Sequence, residues 1–242
     1  MNRYLTLSRT PWYSLVMVLP LAAIYEGLAW LVNWQSEVQL RNGADVLLRM
    51  LLRTFGLATP RLLGALLAAG LLAVWLWQRY RHGDEPLQPS ILAGMLAESA
   101  LWAGVLLVAL LAADSLLLRL AMGANAAGAV LPTALLSIGA GLYEEAVFRL
   151  GLIGVLLLLF RRVLLWHTLP AKVGAVAAAA LVFALFHHIG PTAEPFSWNS
   201  LAYRSVAGVL LGALFIVRGF GITAYAHTGY DLVVLGLLTV HS

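Results

Sequence analysis

Apolar residues run along this chain in long blocks, without the alternation of half-buried strands. A helix crosses the hydrocarbon of a bilayer in about 20 mostly apolar residues. Blocks of that kind lie near 11–33, 61–79, 89–118, 128–148, 150–166, 170–188, 199–217 and 221–240. They predict an all-α fold, a polytopic integral membrane bundle of about eight transmembrane helices. The stretch 128–166 is too long for one straight crossing and too short for two with a loop between them. A tight break near Gly151 would resolve it.

Residues 34–60 depart from this pattern. Within Ala44–Phe55, the apolar Val46, Leu47, Met50, Leu51 and Leu52 are interleaved with Asp45, Arg49 and Arg53. Such spacing suits an amphipathic helix lying in the membrane interface near 44–55, with a plain connecting loop as the alternative. Residues 80–88 form a polar turn, and 189–198, with Gly190, Pro191 and Pro195, a second loop. No internal repeat or low-complexity tract is evident. The chain divides into an N-terminal set of transmembrane helices, 1–127, and a C-terminal core, 128–242.

Composition supports the same class. Hydrophobic residues make up 62% of the chain and charged residues only 11%, against about 25% charged in a soluble domain. Too few polar side chains remain to cover a water-soluble globule, so lipid is the expected solvent. The net charge is +4, carried almost wholly by arginine, since Lys172 is the only lysine. Arg3, Arg9, Arg79, Arg81, Arg161, Arg162 and Arg218 lie singly or in pairs at segment ends, where they anchor to headgroups. They build no basic face, so no nucleic-acid partner is expected. Arginines flank both sides of the spans, and Arg3 with Arg9 tilts the N-terminus towards the cytoplasm. With no cysteine, the chain has no disulfide, thiolate metal site or cysteine nucleophile. The first apolar stretch is longer than a signal-peptide core and lacks its small-residue exit, so it is read as a retained span.

Ionisable side chains inside spans are candidates for function. Glu26, Glu98 (beside Ser99) and Asp114 (beside Ser115) read as packing or hydrogen-bonding groups of the N-terminal half. The others fall in three clusters. The first is Glu144, Glu145 and Arg149. Unpaired against lipid, the three charges would together cost roughly 8–10 kcal/mol, so they pair or line a wet cavity. Glu145 and Arg149, four apart, share a helix face and can form an ion pair. That leaves Glu144 as the carboxylate free for chemistry, the alternative being a purely architectural charge network. The second cluster is Phe183, His187 and His188. A neutral imidazole beside a carboxylate is a usual proton-transfer partner, although a histidine near a helix end is often only structural. The third is His227 and Asp231, four apart on one face. Asp231 can orient His227, both can face a developing oxyanion, or the two can simply brace the last helix.

Taken together, the boxes Glu144-Glu145-x-x-x-Arg149, Phe183-x-x-x-His187 and His227-x-x-x-Asp231 resemble those of the CAAX-protease and bacteriocin-processing family of intramembrane proteases. Order and internal spacing agree over roughly 130–240, and 128–242 becomes the expected catalytic core. The resemblance implies that Glu144 is the general base activating water and that His187 assists. It implies that His227 and Asp231 stabilise the oxyanion, while Glu145 and Arg149 brace the site. Two departures stand out. His188 doubles the histidine and adds a candidate ligand or acid. Position 231 is Asp where the family also uses Asn, and an ionised Asp231 would repel an oxyanion, so it must carry a proton or orient His227.

Members of this family are often labelled metalloproteases, and zinc could be held by His187, His227 and Glu144 with one position open for water. No His-Glu-x-x-His pair shares one helix, however, and glutamate-activated water without a metal is the favoured expectation. The leading function is an endopeptidase cutting near the C-terminus of a membrane-anchored or lipidated protein or peptide, in a bacterial cytoplasmic membrane. Its partners would be that substrate and the lipid bilayer. Two other classes compete: a transporter or ion pathway through the same acids, and a non-catalytic scaffold or immunity factor. The absence of a repeated half argues against a typical secondary transporter.

Overall fold

The computed structural model describes residues 3–36, 39–54, 56, 69, 72–73, 75–77, 79–80, 87–113, 130–190 and 193–240, with side chains as far as 234. The expected span 61–79, the polar turn 80–88 and Asp114 lie wholly or largely outside them. Among the described residues the chain is all helix, with no strand.

Helix α1 is Arg3–Leu7 and α2 is Pro11–Asn33. Thr10 starts α2 by accepting a hydrogen bond from the Tyr13 backbone N–H at 3.4 Å, and Pro11 follows as the first helical residue. Helix α3 is Gly43–Thr54, the segment for which helix and loop were both open. Its polarity points inward: Asp45 is fully buried, while Val46, Leu47, Met50 and Leu51 are exposed. A soluble protein would hide the apolar set, whereas a helix against lipid need not. Helix α4 is Pro89–Ala113.

Helix α5 is a composite without interruption. It is α-helical at Val130–Gly139, π-helical at Ala140–Ile153, α-helical at Gly154–Leu158 and π-helical at Leu159–Val163. The expected break near Gly151 is therefore absent, and the two expected spans, 128–148 and 150–166, are joined in one helical run over Val130–Val163. Glycine weakens a helix without ending it, and in lipid a broken helix would strand backbone groups that water cannot reach. An α-helix as long as these 34 residues would run about 51 Å, well beyond a hydrocarbon core of about 30 Å.

Helices α6 (Thr168–Phe186), α7 (Trp198–Arg218) and α8 (Phe220–Val240) complete the bundle. Only Gly219 separates α7 from α8, and its φ of 84° is one that L side chains rarely adopt. Among the described residues, four helical stretches are long and apolar enough to cross a membrane: Pro11–Asn33, Pro89–Leu111, Thr168–Phe186 and Trp198–Arg218.

Close crossings bring the site together. A Cβ on Gly141 of α5 would lie 2.0 Å from Thr228 Oγ1 and 2.4 Å from the Ala224 carbonyl of α8, so only glycine permits that approach. On α6 the buried Ala171, Ala175, Ala179, Ala180 and Ala184 form a small-residue face. Gly208 of α7 meets it so closely that a Cβ would lie 2.8 Å from Ala180 Cα. This is how helices associate in lipid, where close packing replaces the hydrophobic effect. Glu98, buried partly beneath α1, accepts from Tyr4 Oη at 2.5 Å, Trp102 Nε1 at 3.2 Å and Arg218 Nε at 2.5 Å, the packing role expected of it.

Candidate active site

The π-helical stretch of α5 carries both glutamates. Such stretches are rare and recur at functional sites. Here Glu144 lines a cavity of ≈100 Å³, room for several waters. The same cavity is lined by Phe183 and His187 from the end of α6, Tyr203 and Arg204 from α7, and His227, Tyr230 and Asp231 from α8. Leu106 and Leu110 of α4 close its apolar side.

His187 Nδ1 lies 2.8 Å from the Phe183 carbonyl. A carbonyl only accepts, so Nδ1 carries a proton, and in the neutral ring Nε2 is the nitrogen left to accept on the side of Glu144. Nε2 and Glu144 Oε2 stand 4.0 Å apart, too far for a direct hydrogen bond and suited to a bridging water. The other oxygen of Glu144, Oε1, accepts from Asn42 Nδ2 at 2.9 Å.

Glu145 is fully buried behind Glu144. Its Oε1 accepts from His227 Nδ1 at 2.7 Å and lies 3.0 Å from Arg149 Nη1. The Glu145–Arg149 ion pair expected from their spacing is present, and it extends to His227. Its alignment is that of a charge contact: Arg149 Nη1 and Nη2 and Glu145 Oε2 make no hydrogen bond among the described residues. The Arg149 guanidinium instead sits 4.4 Å from the centre of the Phe183 ring, a cation–π contact that gives Phe183 its bracing position. Phe183 in turn meets Phe148 and His187 edge to face at 5.3 and 4.8 Å. His227 Nε2 is 3.6 Å from Asp231 Oδ2, beyond hydrogen-bonding range.

Seven of the eight residues singled out from the sequence thus converge. His188 does not. Its Nδ1 donates to the Glu194 carbonyl at 3.2 Å and its ring packs on Phe196, so it fastens the loop after α6 outside the cavity. Helix geometry explains this, since consecutive residues point about 100° apart.

Three contributors escaped the sequence reading: Asn42, Arg204 and the bonded pair of hydroxyls on Tyr203 and Tyr230. Asn42 is the N-cap of α3. Its Oδ1 accepts from Ala44 N at 2.8 Å and its carbonyl from Val46 N at 3.1 Å. The side-chain amide therefore caps one helix with its oxygen and holds Glu144 with its nitrogen. An ionic lattice fixes this end of α3. Asp45 accepts from Tyr25 Oη at 2.9 Å, Arg41 Nη1 at 3.0 Å and Arg49 Nε at 2.6 Å, and both arginines reach on to Glu26. An Asn-Gly pair ahead of an amphipathic run is a recognisable helix start, but its reach to Glu144 is not written locally.

The donor set does not match a zinc site well. His227 Nδ1 is taken by Glu145, and its Nε2 faces Asp231. Among the described residues no three His, Asp or Glu side chains stand in a metal-holding group.

On the adjoining face of the same π-helical stretch lies a second, apolar cavity of ≈450 Å³. Leu142, Tyr143, Ala146 and Leu150 of α5 line it, with Leu15 and Val18 of α2, Leu48 of α3, and Arg9 at its edge.

A helical membrane bundle enclosing a polar hollow of acids and histidines is the class that fold and site define. Residues 125–233 match the family model described as type II CAAX prenyl endopeptidase Rce1-like. This part of the chain is an Rce1-like domain of the CAAX-protease and bacteriocin-processing family, and the protein is an integral membrane protein. No curated protein and no solved structure matches the chain.

Proposed function

We propose that the protein is a glutamate-type intramembrane endopeptidase that cuts near the C-terminus of a membrane-anchored or lipidated protein or peptide. The observation carrying this reading is the convergence of Glu144, His187, His227 and Asp231, from three helices, on one hollow large enough for water.

A water between Glu144 Oε2 and His187 Nε2 donates to both. Glu144 takes a proton as the water oxygen attacks the scissile carbonyl. His227, protonated on both nitrogens, donates from Nε2 to the oxyanion, while Glu145 and Asp231 on either side of the ring supply countercharge. Asp231 accordingly orients and balances His227. The proton on Glu144 then passes to the departing amine, which completes hydrolysis without a metal. The apolar cavity beside the π-helical stretch offers room for the substrate's hydrophobic anchor.

The test is a mass-spectrometric comparison of membrane proteins from cells with and without this gene, paired with metal analysis of the purified protein. A protein with a shortened C-terminus only when the gene is present, and cleavage that survives chelation, is the expected result. Stoichiometric zinc with chelator-sensitive cleavage would overturn the metal-free route.

A further inference from the structure

Arg204 is a charge that water activation does not use. It is the seventh residue of α7, ahead of that helix's long apolar run, and it lines the same cavity as Glu144, His187, His227 and Asp231. A charged side chain held within a span calls for a partner or a task.

Its partner is Glu194, in the loop before α7, which meets Arg204 through Nε and Nη2. That pairing occupies one edge of the guanidinium. Nη1 makes no hydrogen bond among the described residues. The arginine fork can therefore take a second planar anion beside the first, and bidentate binding of carboxylates is what this side chain does best. Both partners remain partly accessible, with side-chain exposures of 25% for Arg204 and 47% for Glu194.

Of the other charges in the hollow, the His227 cation serves the oxyanion, and the rest are carboxylates. Glu144 and Asp231 both line it, so an anionic group enters only where a cation compensates. A peptide cut near its end carries one fixed anion close to the scissile bond, the terminal α-carboxylate. Building on the peptidase reading, we infer that Arg204 is the subsite for the free C-terminal carboxylate of the substrate. An extended peptide spans about 3.3 Å per residue, so a fixed anchor for its end measures off how many residues are released.

The experiment needs no turnover. The purified full-length protein in detergent is titrated with the apolar tripeptide N-acetyl-Leu-Val-Leu, once as the free acid and once as the C-terminal amide. The acid binds the wild type about tenfold or more tightly than the amide, as a hydrogen-bonded charge contact implies. Arg204→Gln levels the two, and Arg204→Lys keeps part of the preference. Equal binding of acid and amide by the wild type, absence of acid binding, or a preference that survives Arg204→Gln would each overturn the assignment. Because binding is read directly, a protein that fails to hydrolyse any peptide yet prefers the acid removes the peptidase reading and leaves the carboxylate subsite standing.

Discussion

Asn42 has two jobs that substitution can separate. Its oxygen caps α3 through Ala44 N at 2.8 Å, and its nitrogen holds Glu144 Oε1 at 2.9 Å. Serine caps a helix about as well as asparagine but is too short to reach Glu144. Asn42→Ser therefore keeps the cap and frees the carboxylate, whereas Asn42→Ala loses both. Loss of a cap costs about 0.5–2 kcal/mol, so Asn42→Ala should unfold at a lower temperature than Asn42→Ser by that margin. A hydrogen bond to a charged group contributes about 1.5–3 kcal/mol. If it serves to aim Glu144 at the water, both variants lose about 10- to 150-fold in cleavage rate. Asn42→Asp keeps the cap and replaces the donor with a second carboxylate. Like charges 4 Å apart repel by about 4 kcal/mol at an effective dielectric of 20, so it should be the least active of the three. The assay is the rate of appearance of the shortened product in detergent, beside thermal unfolding of each variant. Wild-type cleavage by Asn42→Ser would refute the reasoning and reduce Asn42 to a helix cap.

Three further outcomes follow from the geometry. Gly141→Ala places a methyl 2.0 Å from Thr228 Oγ1 and 2.4 Å from the Ala224 carbonyl. Because the second of these is backbone, α5 and α8 must part, costing about 1–3 kcal/mol or more, and both thermal stability and cleavage should fall. Glu145→Gln removes the charge shared by Arg149 and His227; breaking a buried pair costs about 3–5 kcal/mol, so its melting temperature should drop well below that of Glu144→Gln. At the loop before α7, burial pushes the Glu194 carboxyl up, but the Arg204 charge and hydrogen bonds from Arg204 and Ser200 outweigh it and hold the group below its ordinary 4.5. A carboxyl depressed in the folded state stabilises above its unfolded value and loses that contribution as pH falls through the folded one. The stability gap between wild type and Glu194→Gln should therefore be full above about pH 4.5 and shrink on further acidification, as thermal unfolding from pH 7 to pH 3 would show. A gap that widens in acid would contradict this.

What was legible in the sequence was whatever repeats locally. The long apolar blocks marked α2, α6, α7 and α8 to within a few residues, and the start of α4, because a span must be apolar along its whole length. The Glu145–Arg149 pair, and His227 with Asp231, followed from four-residue spacing on one helix. The convergence of the three boxes rested on a resemblance, not on spacing, since no local rule joins Glu144 to His187 or His227. Asn42 was invisible for the same reason: 102 residues separate it from Glu144, and only its capping role is written nearby. Arg204 stood in plain view as a charge within an expected span and was passed over, while half of the arginines lie at segment ends. The misplaced break at Gly151 came from length alone: 128–166 is too long for one straight crossing, yet the chain stays helical where lipid offers no water to a broken backbone. His188 was carried along by adjacency to His187, although neighbours on a helix end face different ways. The π-helical winding of Ala140–Ile153 has no simple sequence signature, yet it sets where both glutamates point.

In the proposed reaction the Glu144 carboxylate activates the water that cuts the peptide. Its most direct measurement is the cleavage rate of purified wild type and Glu144→Gln on one membrane substrate in detergent with chelator present, the fold of each checked by thermal unfolding. Steady product is expected from the wild type and none from a Glu144→Gln protein that is still folded. Matching product from that folded variant would contradict it.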